Sequence, residues 1–277
     1  AGDVLGNGGI DAAVLATTCD QMRRTAERLA ARADRPVFLM NVPATWQTAT
    51  AARLYADELR RLGRFIVQVG GEAPSAERLC DTLEAWDEAR LALRGALGTL
   101  PPRDASAAIA RLAPGAVSAP NVGGGWRPEA HRIPVAVVGG PLMRGDSRVA
   151  DAVEAAGGEV VLDGTASGPL TLPAPLDRRR LRDDPLMELV EAYFTAIPAV
   201  FRRPNGILFD ALARALADAG ARGAIVWRYL WCDAWAGAVP VLRERLGAPV
   251  LDLGGTDPDD PAARIGERIE AFMEMLR

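Results

Sequence analysis

Few residues in this 277-residue sequence could do chemistry. Cysteine occurs three times, as Cys19, Cys80 and Cys232, and histidine once, as His131. Lysine does not occur, so all 32 basic residues are arginine. One histidine leaves Ser-His-Asp catalysis and polyhistidine metal sites almost nothing to work with. The lack of lysine removes the Schiff base and the lysine general base. An odd cysteine count, wide spacing and no secretion signal speak against a disulfide framework. Each thiol is therefore either an inert buried group or a metal ligand.

Position separates the three. Cys19 and Cys232 each follow an apolar run of strand length, and each precedes Asp at the start of a helical pattern. Helix N-termini favour the thiolate that binds metal. Cys80 instead falls inside a helical pattern, three residues before Leu83, where a core thiol belongs. Trp231 and Trp235 flank Cys232 as core packing or as an apolar wall around a metal centre. Gly139-Gly140-Pro141 reads as a tight turn or as a backbone cradle for an anion at a helix start. Arg178-Arg179-Arg180 is a solvated run or a contact for phosphates. Arg23 and Arg24 face solvent or a negatively charged group beside Cys19. His131 reads as exposed or locally hydrogen-bonded. Asn7-Gly8-Gly9 is no dinucleotide fingerprint, because no strand precedes it.

These residues need a scaffold, and the pattern predicts one that is α/β. Apolar runs 12–16, 36–40, 133–138, 159–163, 224–227 and 249–253 read as strands. Helical patterns cover 20–33, 48–62, 73–97, a stretch ending at 156, 185–196, 206–219, 233–246 and 261–276. Gly63 is read as the stop of the second helix, Pro101-Pro102 as a break, and 164–182 as a long loop. Strands alternating with helices imply parallel sheets covered on both faces. A Gly/Pro-rich linker at 113–132 divides an N-terminal lobe, 1–112, from a C-terminal lobe, 133–277. Ligands in such sheets bind beyond the carboxyl ends of the strands, the edge expected to carry Cys19, Gly139 and Cys232.

Composition narrows the function classes. At 49% apolar residues a sizeable core can be buried. A net charge of −4 argues against a nucleic-acid footprint. No apolar run reaches the length of a membrane span, so the expected location is cytoplasmic. The sequence opens on Ala and is already strand-like by residue 11, which suggests a missing N-terminal portion.

Several segments, in order, carry a resemblance. Ala16-Thr17-Thr18-Cys19-Asp20-Gln21-Met22-Arg23-Arg24 follows the first strand, and Trp227-Arg228-Tyr229-Leu230-Trp231-Cys232-Asp233 follows a later one. Residues 263–276 close the chain, with 133–142 and 155–163 between. Together they resemble the family of 2-hydroxyglutaryl-CoA dehydratase component D, which also contains benzoyl-CoA reductase subunits and double-cubane cluster proteins.

The resemblance implies two Rossmann-like (flavodoxin-like) parallel-sheet lobes with a [4Fe-4S] cluster in the cleft between them. Three cysteines commonly ligate it; Cys19 and Cys232 match two of these, and the third would precede Ala1. It further implies a homologous second subunit, an ATP-hydrolysing activator that delivers a low-potential electron, and an acyl-CoA substrate. The thioester then becomes a ketyl radical, and either hydroxide leaves or a ring is reduced, in anaerobic metabolism. Two positions depart from the family pattern. Gly164-Thr165-Ala166-Ser167-Gly168-Pro169-Leu170 lacks the usual Arg, and Ala199 stands where some relatives carry Cys. The alternatives are a non-catalytic or electron-relay paralogue with an incomplete cluster site, and a two-lobed small-molecule binder without metal.

Overall fold

The computed structural model describes residues 10–32, 35–112, 125–142, 147–254 and 262–277. In chain order the elements are β1 (Ala13–Ala16), α1 (Asp20–Arg32), β2 (Val37–Met40), α2 (Ala49–Gln68), α3 (Ala76–Leu97), α4 (Pro102–Arg111), β3 (Ile133–Gly139), α5 (Arg148–Ala155), β4 (Gly158–Thr165), α6 (Arg178–Asp183), α7 (Pro185–Leu189), a π-helical turn (Val190–Thr195), α8 (Gly206–Asp218), β5 (Gly223–Trp227), α9 (Asp233–Arg245), β6 (Val250–Asp252) and α10 (Ala262–Leu276). They sort into two compact units. One comprises Ala1–Glu84, Leu176–Ala196 and Phe201–Pro204; the other comprises Ala85–Pro175, Ile197–Val200 and Asn205–Arg277. The sequence divides the chain linearly at 113–132, whereas contacts group residues 85–112 with the second unit. Most of that linker, 113–124, lies outside the described residues, as does Asn7-Gly8-Gly9.

The second unit is an α/β layer structure with a four-stranded parallel sheet in the order β4-β3-β5-β6. Its central strands are apolar on both faces. Val135, Val137, Ile225 and Trp227 pack with Val149 and Val153 of α5 and with Ile265, Ile269 and Met273 of α10. Ala136, Val138, Ala224 and Val226 point the other way, onto Leu212 of α8 and Val239 and Leu242 of α9. The two-residue period of a strand thus feeds two separate cores from one run.

The first unit carries a two-stranded parallel sheet, β1 against β2, with Ala13 paired to Val37 and Ala16 to Met40. Thr48 accepts the Ala51 N–H at 3.1 Å and caps α2. That helix runs through Gly63 to Gln68. A mid-helix glycine costs only about 1 kcal/mol relative to alanine, and the helix continues to Phe65, whose ring lies 5.1 Å from that of Phe38. The terminating glycine is Gly70, at φ +103°. Two further helices contradict the sequence reading. Pro102 stands at the first turn of α4, where proline is tolerated, rather than breaking the chain. Asp177 accepts the N–H groups of Arg179 and Arg180 at 2.8 and 3.1 Å and starts α6 inside the expected loop.

Candidate functional site

In the second unit the chain starts on β3, crosses to β4 on one side, then returns to β5 on the other. The connections therefore diverge between the carboxyl ends of β3 and β5, the position where open α/β sheets bind ligands. Gly139 and Gly140 end β3 there, and Trp227 ends β5. The Gly140 N–H donates to the Trp227 carbonyl oxygen at 2.9 Å, so this glycine pair is a tight turn and not a free anion cradle. Helix α5 begins only at Arg148.

The turn from β5 to α9 is held at several points. The Tyr229 hydroxyl donates to the Pro141 carbonyl at 3.0 Å. Arg228 gives Nε and Nη2 to the two oxygens of Asp252 at 2.9 and 3.0 Å, a bidentate pair joining the carboxyl ends of β5 and β6. Asp252 also accepts the Gly254 N–H at 2.8 Å. Burial opposes ionisation of Asp252, but the bonds from Arg228 and Gly254 more than offset it and hold the carboxyl below its ordinary range. Ser167 ties the ends of β3 and β4: its Oγ accepts the Leu142 N–H at 3.1 Å.

Cys232 stands directly before α9, and its carbonyl accepts the Ala236 N–H at 2.9 Å in the first turn. Its thiol is free and half-buried, against the cluster that contains Trp235. Trp235 is core. Trp231 is 70% exposed and does not pack as core.

In the first unit, Cys19 occupies the equivalent place between β1 and α1. Thr17 fixes this turn: its N–H donates to Met40 O and its Oγ1 accepts the Val42 N–H, both at 2.9 Å. Cys19 is free and half-buried, and its carbonyl accepts the Arg23 N–H at 3.3 Å. Arg23 and Arg24 are exposed and lie 4.0 Å from Asp20 and Glu27 respectively. Beside the end of β2, Glu58 accepts from Asn41 N–H and Arg61, each at 2.8 Å. Burial works against its ionisation, yet those bonds keep its carboxyl below the ordinary range.

The remaining singled-out residues fall elsewhere. Cys80 lies within α3 and packs with Leu83, Leu176 and Leu181. His131 is exposed and 3.3 Å from Glu129. Arg180 meets the buried Glu188 at 3.1 Å, so the basic run is partly engaged in an internal ion pair. Among the described residues no group of three or more His, Cys, Asp or Glu is arranged to hold a metal ion.

Sequence reasoning did not single out Arg228, Asp252, Ser167 or Thr17. A signal existed for one: Asp252 closes an apolar strand, as Asp163 does. Among the described residues no helix is long and apolar enough to cross a membrane.

The family model described as 2-hydroxyglutaryl-CoA dehydratase, D-component, matches residues 2–276, nearly the whole chain. No curated protein matches significantly.

Proposed function

The chain belongs to the family of the 2-hydroxyglutaryl-CoA dehydratase D-component, and on that premise we propose that it is a cluster-bearing subunit of an ATP-dependent, radical-type acyl-CoA enzyme, a 2-hydroxyacyl-CoA dehydratase or an aryl-CoA reductase. The observation that carries the reading is the extent of the match, residues 2–276, which takes in both Cys-Asp pairs.

Cys19 and Cys232 are the residues that would hold a [4Fe-4S] cluster. The donor set fits in kind. Both are free thiols, neither is deeply buried, and each sits between a parallel strand and a helix start. Thiolates are the ordinary ligands of such clusters. Two fall short of the four a cubane takes, so the other positions are filled by further groups. When bound, the cluster supplies one-electron chemistry that no side chain in this chain can supply.

The chain's own residues do the holding. Thr17 fixes the turn before Cys19. Arg228, Tyr229 and Asp252 fix the turn before Cys232, with Trp235 as a dry wall beneath it. Such a wall excludes water from a reactive radical. A homologous second subunit and an ATP-hydrolysing activator complete the proposed system, with acyl-CoA as substrate.

The test is iron and acid-labile sulfide content, with electron paramagnetic resonance, on anaerobically prepared protein. Stoichiometric iron and sulfide are expected; protein free of both sinks the reading. Only two cysteines have the strand-to-helix setting, and that observation favours a second reading, an electron-relay or non-catalytic paralogue. Bound iron without turnover in the presence of partner, activator, ATP and acyl-CoA would decide for it.

A further inference from the structure

Arg202, in the first unit, is 4% exposed and carries a charge its surroundings do not neutralise. Its Nη2 donates to the Tyr193 carbonyl oxygen at 2.9 Å, and its Cζ lies 5.1 Å from the centroid of the Phe194 ring. Nε and Nη1 are buried and have no hydrogen-bond acceptor. Other buried charges are treated differently: Asp87 and Arg90 lie 3.4 Å apart, and Glu188 takes Arg180 at 3.1 Å.

Loss of the proton does not relieve this group. Burial lowers the pKa of Arg202 to about 10, which still leaves it charged at neutral pH. One carbonyl and one aromatic face recover only part of the cost of desolvating an ion. Nη2 has a second hydrogen, so with Nε or with Nη1 it forms a two-donor edge. That fork matches paired oxygens of a carboxylate or phosphate.

We propose that Arg202 is the cationic half of an oxyanion site, seating the paired oxygens of a carboxylate or phosphate ligand on its free fork edge. The site lies within the first unit and is independent of the cluster reading. Access runs past the neighbouring tyrosines. Tyr55 stacks on Phe194 at 4.6 Å, and both Tyr55 and Tyr193 are only half-buried. Because the two orphan nitrogens have no exposed surface, one of these side chains turns aside as the anion enters. Burial raises the pKa of the Tyr55 phenol, against the pull of the Arg202 charge, so the ring flanking the site brings no competing negative charge.

The experiment is thermal unfolding of the full chain titrated with glutarate, inorganic phosphate or coenzyme A, each against potassium chloride of equal ionic strength. The wild-type melting temperature is expected to rise saturably with at least one of the three, by roughly 5 °C or more at a hundred times Kd. A response to glutarate alone identifies a carboxylate ligand; a response to phosphate or coenzyme A identifies a phosphate. Arg202→Met, relieved of the buried charge, should melt no lower than wild type without ligand and show no shift with it. No response of the wild type beyond the chloride control, or an undiminished shift in Arg202→Met, overturns the proposal. If that variant does not fold, Arg202→Lys decides: an affinity at least about tenfold weaker supports the fork, and an unchanged affinity refutes it.

Discussion

A Cβ on Gly139 would lie 2.0 Å from the carbonyl oxygen of Trp227. The glycine stands at φ +131°, a conformation that side chains rarely adopt, and the Gly140 N–H donates to the same oxygen. Neither backbone can yield without breaking the β3–β5 ladder. Gly139→Ala is therefore expected to destabilise the second unit by about 3 kcal/mol or more. Urea unfolding measures this directly, and a loss under 1 kcal/mol would show that the two strand ends can part.

The carboxyl of Asp252 is held below its ordinary range by Arg228 and Gly254. The sign follows from the depressed folded value. The stability is fully present above the unfolded value, about 3.9, and is lost as pH falls from there through the lower folded value. Asp252→Asn should therefore flatten the stability–pH curve in that acidic window and lower stability near neutral pH. A curve parallel to wild type below pH 4 would argue against the pair's contribution.

Glu188 is buried and accepts the Asp177 N–H at 2.7 Å as well as facing Arg180. Arg180→Ala leaves that carboxylate short of a cation. Because Arg180 itself is largely exposed, the expected loss is about 2 kcal/mol, below the figure for a fully buried pair. Arg179→Ala, exposed and with no ion pair given, serves as the control and should be near neutral. Equal losses would mean that helix propensity, not the ion pair, is being read.

Two cysteine variants distinguish ligand from core. On the proposed function, Cys232→Ser in anaerobically purified protein should lower iron content and abolish turnover. Cys80→Ser, packed inside α3, should retain both and lose only some stability. Iron loss of the same size in both variants would refute the assignment.

The proposed subunit should be inactive alone. One histidine and no lysine leave little for proton transfer. Anaerobic gel filtration with a homologous second subunit should show a larger complex. Acyl-CoA turnover should then require that complex, ATP and the activator. Full activity from the isolated monomer would disprove the dependence.

Much of the fold was legible because its strands announce themselves twice. Val135 to Val138 and Ala224 to Trp227 are apolar at every position, as a strand buried on both faces must be. Proline and glycine misled at α4 and α2. Pro102 is harmless where no intrahelical donor is needed, and Gly63 costs less than the apolar face beyond it returns. The basic run hid α6 because its start depends on one capping carboxylate, Asp177. The placement of Cys19 and Cys232 before helices was readable from local pattern. The Arg228–Asp252 pair spans 24 residues and the Ser167–Leu142 bond 25, and no local period encodes such partners. Arg202 was invisible for a related reason: burial without a counter-charge is a property of the packed unit.

Of the six tryptophans only Trp231 is exposed, and it precedes Cys232 in the chain. Trp227 and Trp235, by contrast, sit in apolar cores. The protein thus contains its own optical probe. The red-shifted, quencher-accessible part of its fluorescence comes chiefly from one indole ring, next to the residue proposed to bind iron. Acrylamide quenching of that component would follow the docking of a second protein on this turn without any attached label.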